Sequence, residues 1–252
     1  MTADLQLAPE EIALLYGHDY FHGAEYGDYV EEKPALQSNF AGRLEEIKAL
    51  PGVTSTSTLY EIGCAYGFFL ELAQPHFAAT AGIDISAAAA HHARTKLDLN
   101  VTCGNFIHDP LPFSPDVICM WDVIEHLDRP DLVLAKAGDS VSPGGYICVT
   151  TGDVGSLTAR LRGPKWRMIH PPTHLHYFNS RNLARLLQRS GFEPVSTAYP
   201  PVLRTVGAML HGAVKLRMGA DRLYSLLSLL PGQGVSIPIN FHDIMFMIGR
   251  KV

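Results

Sequence analysis

The chain has 252 residues, enough for one sizeable α/β domain or for one domain with an insertion. Hydrophobic residues make up 47% of it, so core-forming material is ample. The net charge of −5 argues against a nucleic-acid partner, because neutralising phosphates requires a basic surface. No apolar run reaches the ~20 residues that span a bilayer, and Met1 leads into polar residues unlike those of a signal peptide. We therefore expect a cytoplasmic protein.

The four cysteines lie in or beside predicted strands, and none belongs to a Cys-x-x-Cys pair. They are Cys64, Cys103, Cys119 and Cys148. This distribution favours buried, reduced thiols in an intracellular protein and argues against a zinc site.

Residues 1–50 are predicted to form an N-terminal helical and lid segment ahead of a domain at 51–252. Ala8 to Leu15 and Pro34 to Leu50 have helical patterns. Between them, residues 20–30 are unusually rich in tyrosine and glycine. This stretch is either an aromatic loop that packs on the domain or a lid, because tyrosine combines a flat apolar ring with a hydrogen-bonding tip.

The stretch from Leu59 to Leu72 predicts a strand, a tight glycine loop and the start of a helix. The strand runs into Glu61, and the loop contains Gly63 and Gly67. Such a junction presents unpaired backbone N–H groups to a ligand. The spacing lacks the glycine at 65 that a dinucleotide loop needs, and no lysine follows the second glycine as in a P-loop.

A second acidic residue strengthens the prediction of a nucleoside site. Thr80 to Asp84 reads as the next strand, and Asp84 follows Glu61 by 23 residues. A carboxylate at this strand end is positioned to accept both hydroxyls of a ribose. Ser86 is then predicted to cap the following helix.

Strand and helix patterns alternate five times, which predicts a doubly wound parallel sheet in an α/β fold. The apolar run from Pro115 to Trp121 is typical of a central strand buried on both faces. Residues 200–234 are predicted to be an inserted helical pair. Its apolar part at 201–232 could be extra core or a homodimer surface, or could help to cover a lipidic or sugar acceptor or rest on a membrane surface. The remaining predicted strands are Asn100 to Cys103, Tyr146 to Thr151, Phe192 to Tyr199 and Ile239 to Val252.

In this order, the glycine loop, Asp84, the DVIEHL segment from Asp122 and the Pro-Gly-Gly turn at 143–145 resemble class I S-adenosylmethionine (SAM)-dependent methyltransferases. The resemblance implies a Rossmann-like seven-stranded sheet whose last strand is antiparallel and lies between the fifth and sixth. It also implies SAM as the cofactor, with Glu61 near its amino group and Asn105 where the family usually has an acid at the adenine. The cofactor-binding residues predicted on this basis are Tyr20, Tyr29, Glu61, Gly63, Cys64, Ala65, Gly67, Phe68, Asp84, Ile85, Asn105, Phe106, Trp121 and Asp122.

Asp122, Glu125 and His126 would share one face of a helical turn, because their spacing is i, i+3 and i+4. His126 could be a general base, or the group could be a structural feature of the superfamily. As a third alternative, the three could bind a divalent metal such as magnesium, since the segment resembles one in some quinone O-methyltransferases.

The irregular stretch 152–179 is expected to face the acceptor, because long loops in compact domains are usually functional. His170, His174 and His176 lie in it, and histidine can remove a hydroxyl proton near neutral pH. With His126, we predict His174 and His176 as catalytic, the alternative being structural histidines. The basic run Arg160 to Arg167 could bind an acidic acceptor or be a solvated face.

These features predict methyl transfer from SAM to a hydroxyl of a small molecule, with a sugar or glycan slightly favoured over a phenol or quinone. Catalysis would consist mainly of positioning plus removal of one proton. The absence of an Asn/Asp-Pro-Pro-Tyr motif after the fourth strand argues against methylation of DNA bases. The alternatives are N- or C-methylation of a small metabolite and a non-catalytic SAM-binding protein.

Overall fold

The computed structural model of the protein describes residues 30, 32–210, 214, 219–230, 232 and 234–252. The predicted helix at 8–15 and the predicted cofactor residues Tyr20 and Tyr29 lie outside the described residues. Within the described part of the chain, none of the helices is both long and apolar enough to cross a membrane.

The centre of the fold is a seven-stranded sheet in the order β3-β2-β1-β4-β5-β9-β6. Strands β1 to β5 pair in parallel, and β9 pairs antiparallel with both β5 and β6. The predicted fold class and the position of the last strand are therefore confirmed. In chain order, β1 to β9 are Thr58–Ile62, Ala79–Asp84, Val101–Cys103, Val117–Trp121, Tyr146–Gly152, Phe192–Ala198, Val202–Thr205, Ser236–Ile239 and Ile244–Lys251.

Helices cover both faces of this sheet. In chain order, the α-helices α1 to α8 are Lys33–Lys48, Phe68–Ala73, Ala87–Lys96, Pro130–Ser140, Leu157–Arg162, Ser180–Arg189, Val206–Leu210 and Asp221–Leu227. Short 3-10 turns lie at Gln74–His76, Ile124–His126 and Gly163–Lys165. Strand β4 is buried along its whole length, with Cys119 in the core shared with α1 to α3 and Ile118 in the core shared with α4 and α6. This alternation follows from the two-residue repeat of a strand.

The insertion differs from the predicted helical pair. Its described part contains α7 and α8, but β7 and β8 flank them and form a separate antiparallel two-stranded sheet. The helical pair predicted at 200–234 is thus accompanied by a strand, β7, that was not predicted from the sequence. The paired strands contain Val202, Thr205, Ile237 and Ile239, and such β-branched residues favour strands.

The loop after β1 is held close to its neighbours. The N–H groups of Gly63 and Cys64 both donate to the carbonyl of Ile83 on β2. Gly63 has φ +68, and a Cβ placed there would lie 2.6 Å from the Val123 side chain. This glycine is required both by its backbone conformation and by the close approach of Val123.

Gly63→Ala should therefore destabilise the fold more than Gly52→Ala. Gly52 has a similar φ of +86 but open space around it, so its alanine variant reports the backbone strain alone. We expect that strain to cost about 1–2 kcal/mol, and Gly63→Ala to cost about 1–3 kcal/mol more because of overpacking. Urea unfolding of both variants measures the difference. Equal losses would contradict a close contact with Val123.

Candidate functional site

The carboxyl ends of β2, β1 and β4 meet at one edge of the sheet. Asp84 and Trp121 are the last residues of β2 and β4, and Glu61 is the last but one of β1, which lies between them in the order β2-β1-β4. Ligands of open parallel sheets bind at this edge.

Glu61 is buried to 3% exposure, and its Oε2 atom has no hydrogen-bond partner among the described residues. Burial raises the pKa of this carboxyl well above its usual value, the charge of Asp84 raises it further, and Arg43 opposes both. A buried carboxyl oxygen without a partner is suited to receive a donor from a ligand, above all a cationic one.

Trp121 and Arg43 provide a hydrogen-bond donor and a positive charge near this edge, in contrast to the two carboxyls. The indole N–H of Trp121 is buried and has no acceptor among the described residues. The Arg43 guanidinium lies 5.1 Å from the Trp121 ring centroid and 3.8 Å from Oδ2 of Asp122. A ligand carboxylate fits a cation beside an unused N–H, just as a ligand ammonium fits Glu61. Together these groups suit the zwitterionic head of an amino acid.

Arg43 was not among the residues predicted from the sequence. The signal was nevertheless present, because Phe40, Leu44 and Ile47 form the buried face of α1 and Arg43 lies on that same face. An arginine on an otherwise apolar helix face needs a polar partner, and here Asp122, whose side chain is half-buried, is one.

Asp84 is held in place by the backbone. Its Oδ2 accepts the N–H of Ala65 at 2.7 Å, and its Oδ1 accepts the N–H of Ser86 at 2.8 Å. Burial raises the pKa of Asp84, and these two hydrogen bonds oppose that shift. Each carboxylate oxygen has a second lone pair, so the side chain can still accept the hydroxyls of a ribose.

The other predicted cofactor residues differ in accessibility. Ile85 is exposed beside Asp84, whereas Cys64, Phe68 and Phe106 are buried in the core. Asn105 uses its side-chain oxygen to accept the N–H of Ile107 at 2.9 Å. This leaves its amide NH₂ as the donor it can offer a ligand.

Asp122 does not belong to a helical turn. It has φ +54, and its backbone N–H donates to the Thr150 hydroxyl at 2.9 Å. Only Ile124–His126 forms a 3-10 turn, so the expectation that Asp122, Glu125 and His126 share one helical face is wrong. The group whose oxygen and nitrogen atoms do come together, within 4.8 Å of one another, is Glu125, His126 and His174.

Glu125 is the buried carboxyl of this group. It is 2% exposed, and neither carboxyl oxygen has a partner within hydrogen-bond geometry among the described residues. Burial raises the pKa of Glu125 to about 8, helped by the charge of Asp122 and opposed by its own backbone N–H and the Thr151 hydroxyl. Its backbone carbonyl accepts the N–H groups of Leu175 and His176, which fixes the histidine segment beside it.

The two histidines are neutral and oriented by the loop. Nδ1–H of His126 donates to the Thr173 carbonyl and Nδ1–H of His174 to the Met168 carbonyl, both at 2.8 Å. In each ring, Nε2 therefore carries the lone pair. Burial lowers the pKa of His126 to about 3 and lowers the pKa of His174. The rings are perpendicular, with centroids 4.6 Å apart.

A narrow cavity adjoins this group. It has about 10 Å³ of space, roughly enough for one water molecule, so a larger occupant requires the surrounding loop to open. Its walls are Glu125, Thr151, Gly152, Trp166, Met168, His174, His176 and Tyr177. Two of the three predicted catalytic histidines thus line it, and His126 stands behind His174.

Comparison with known proteins places the chain in a family. The methyltransferase domain family matches residues 36–197. A Mycolicibacterium smegmatis protein named a probable S-adenosylmethionine-dependent methyltransferase is 28% identical over 139 residues, covering 54% of this chain and 52% of its own. The ubiquinone biosynthesis O-methyltransferase of Bordetella avium is 23% identical over 165 residues, covering 60% and 68%.

A solved structure extends the likeness of the fold over most of the chain. The N-methyltransferase NodS of Bradyrhizobium japonicum, in complex with S-adenosylhomocysteine (SAH), has a TM-score of 0.55 at 16% identity and covers 86% of this chain and 88% of its own.

The present chain belongs to the class I SAM-dependent methyltransferase family. It spans about half the length of the M. smegmatis relative.

We expect Glu61→Gln to weaken binding of SAH about 10- to 100-fold, because the amide cannot neutralise the ligand ammonium. Isothermal titration calorimetry measures this loss. Glu193→Gln, an exposed change on β6, is the matched control and should bind as tightly as the wild type. Equal affinity of the Glu61 variant would contradict a contact between this carboxyl and the ligand.

Proposed function

We propose that the protein transfers the methyl group of SAM to a hydroxyl of a small molecule. Bound SAM supplies an activated methyl on a sulfonium, so the protein needs to hold the acceptor in line and take one proton. The observation that carries the proposal is the narrow cavity lined by Glu125, His174 and His176. All three can accept a hydrogen bond from a hydroxyl.

The residues that hold SAM in this proposal are those at the sheet edge. Glu61 takes the ammonium, Arg43 and the Trp121 N–H take the carboxylate, and Asp84 takes the ribose hydroxyls. Two buried polar atoms without partners among the described residues support this arrangement: Glu61 Oε2 is a hydrogen-bond acceptor, and Trp121 Nε1 is a donor.

Glu125 is the proposed proton acceptor. With its pKa at about 8, it is a stronger base than His126, whose pKa is about 3. As the oxygen–methyl bond forms and the sulfur–methyl bond breaks, the hydroxyl proton passes to the Glu125 carboxylate. His174 and His176 orient the hydroxyl, and His126 holds the ring of His174. This assigns the three predicted catalytic histidines to positioning rather than to proton removal.

A sugar-type hydroxyl remains slightly favoured over a phenolic or quinone hydroxyl. The cavity combines hydrogen-bond acceptors with the aromatic residues Trp166 and Tyr177, and small-molecule sites typically combine polar and apolar groups in this way. Assays with SAM and a panel of glycosides, catechols, hydroquinones and primary amines test this order of acceptor preference. Turnover confined to amines would refute the hydroxyl proposal, whereas tight SAH binding without any turnover would favour a non-catalytic SAM-binding protein.

N-methylation is the second candidate. The unpartnered Glu125 carboxyl beside two aromatic rings would also suit a cationic amine, and the structurally similar NodS is an N-methyltransferase. The amine arm of the same panel distinguishes it from hydroxyl transfer.

The pH dependence of the rate should report Glu125. A carboxyl accepts a proton only when ionised, so kcat/KM should rise with pH and level off above about 8. Glu125→Gln should lower kcat about 100-fold or more and remove this rise, while Glu193→Gln should leave the profile unchanged. A wild-type profile that levels off below pH 7 would contradict Glu125 as the base.

A divalent cation is the alternative means of activating the hydroxyl. The predicted ligand Asp122 is not part of the close group, but Glu125, His126 and His174 are of the types that bind divalent metals. If a cation is required, dialysis against a chelator should abolish turnover, and magnesium, manganese or zinc should restore it. His174→Ala should then lose metal binding in calorimetry, and His176→Ala should keep it. Full activity after chelation would exclude this alternative.

A further inference from the structure

The short helix α5 exposes two leucines to solvent. Leu157 is 73% exposed and Leu161 is 79% exposed, and their i, i+4 spacing places them on the same face. Phe241, 49% exposed, borders the helix, because its carbonyl accepts the Thr158 hydroxyl at 2.8 Å. We call these three exposed side chains the apolar ridge; the Phe241 ring also lies 5.6 Å from the Arg167 guanidinium. Single exposed leucines are ordinary, but three large apolar side chains exposed on and beside one short helix are a candidate contact surface.

Cations surround the apolar ridge. Arg160 and Arg162 on α5 and Lys165 on the next turn are exposed, and none forms an ion pair within the described residues. Arg160 also lines a cleft of about 240 Å³ with Arg181. The surface is therefore locally basic, although the whole chain has a net charge of −5.

The acidic groups beside this surface are held inward. Asp153, which lines the same cleft, is 4% exposed and accepts the Tyr199 hydroxyl and the Gly155 N–H. Asp243 is 2% exposed and paired with Arg167. Neither carboxylate is placed to neutralise the exposed cations, so their charge is available to an external anion.

The combination of charge and apolarity selects one kind of partner. A polyanion such as a nucleic acid would use the cations and leave the leucines exposed. A second copy meeting this one through the same surface would bring like charges together. An anionic bilayer satisfies both features, because apolar side chains enter the headgroup boundary while arginine and lysine contact lipid phosphates.

We propose that residues 157–165, together with Phe241, dock this protein peripherally on an anionic lipid surface. The leucines enter the interface, and the cations contact headgroup phosphates, with Arg160 and Arg181 flanking the cleft. The same loop continues directly to Trp166 and Met168, which line the narrow cavity beside Glu125. Docking would thus bring the loop that covers this cavity into contact with the membrane. The docking itself does not depend on the proposed methyl transfer.

Sedimentation of the full chain with vesicles tests the proposal. Vesicles of phosphatidylcholine mixed with phosphatidylglycerol should bind the wild type, and vesicles of phosphatidylcholine alone should bind it at least about 10-fold more weakly. Added salt should release the bound protein, because it screens the charges. Equal binding to both vesicle types, or binding to neither, would overturn the proposal. So would sedimentation of the protein without vesicles, which would indicate self-association.

Two sets of variants locate the surface. Leu157→Asp with Leu161→Asp, and separately Arg160→Glu with Arg162→Glu, should each lower the partition coefficient about 10-fold or more. The matched controls are Leu229→Asp, at 80% exposure in the insertion, and Arg185→Glu on the exposed side of α6. Both should bind like the wild type. Unchanged circular dichroism and SAH affinity establish that each variant is folded. Retained vesicle binding by the α5 variants, or its loss in the controls, would refute the assignment.

Discussion

The burial of two carboxyls at the carboxyl edge of the sheet is the constraint on which the site depends. Glu61 and Asp84 lie at the ends of neighbouring strands; burial raises the pKa of both carboxyls, and the charge of Asp84 raises that of Glu61 further. Arg43 from α1 and the backbone N–H groups of Ala65 and Ser86 offset part of these shifts. The glycine loop and the docking of α1 are thus electrostatic requirements as well as packing ones.

The sheet and the strand-end acids could be predicted because they follow from local pattern and general topology. A parallel sheet alternates with helices and binds its ligand where its strands end, so Glu61 and Asp84 could be placed from their positions alone. Arg43 was missed because its helix was used only as a boundary of the domain. Its spacing from Phe40 and Ile47 shows that it belongs to the buried face, where it contacts Trp121 and Asp122.

The acceptor side could be predicted less completely, because it is assembled by contacts between distant residues. The helical spacing of Asp122 and His126 holds only if the backbone is helical throughout, and Asp122 breaks that condition with φ +54. His174 reaches Glu125 because the N–H groups of Leu175 and His176 bond to the Glu125 carbonyl. No periodicity in the sequence encodes a hydrogen bond between residues as far apart in the chain as Glu125 and Leu175.

Asp122 also explains how one short stretch serves both halves of the site. Before it, Trp121 has a buried N–H without an acceptor among the described residues; after it, Glu125 lines the cavity proposed for the acceptor. A left-handed residue other than glycine persists only where its surroundings fix it, and here both Thr150 and Arg43 bind Asp122. Methyl transfer requires donor and acceptor to be aligned within fractions of an ångström. A rigid turn of one residue between the two subsites provides that alignment without relying on the longer loops around it.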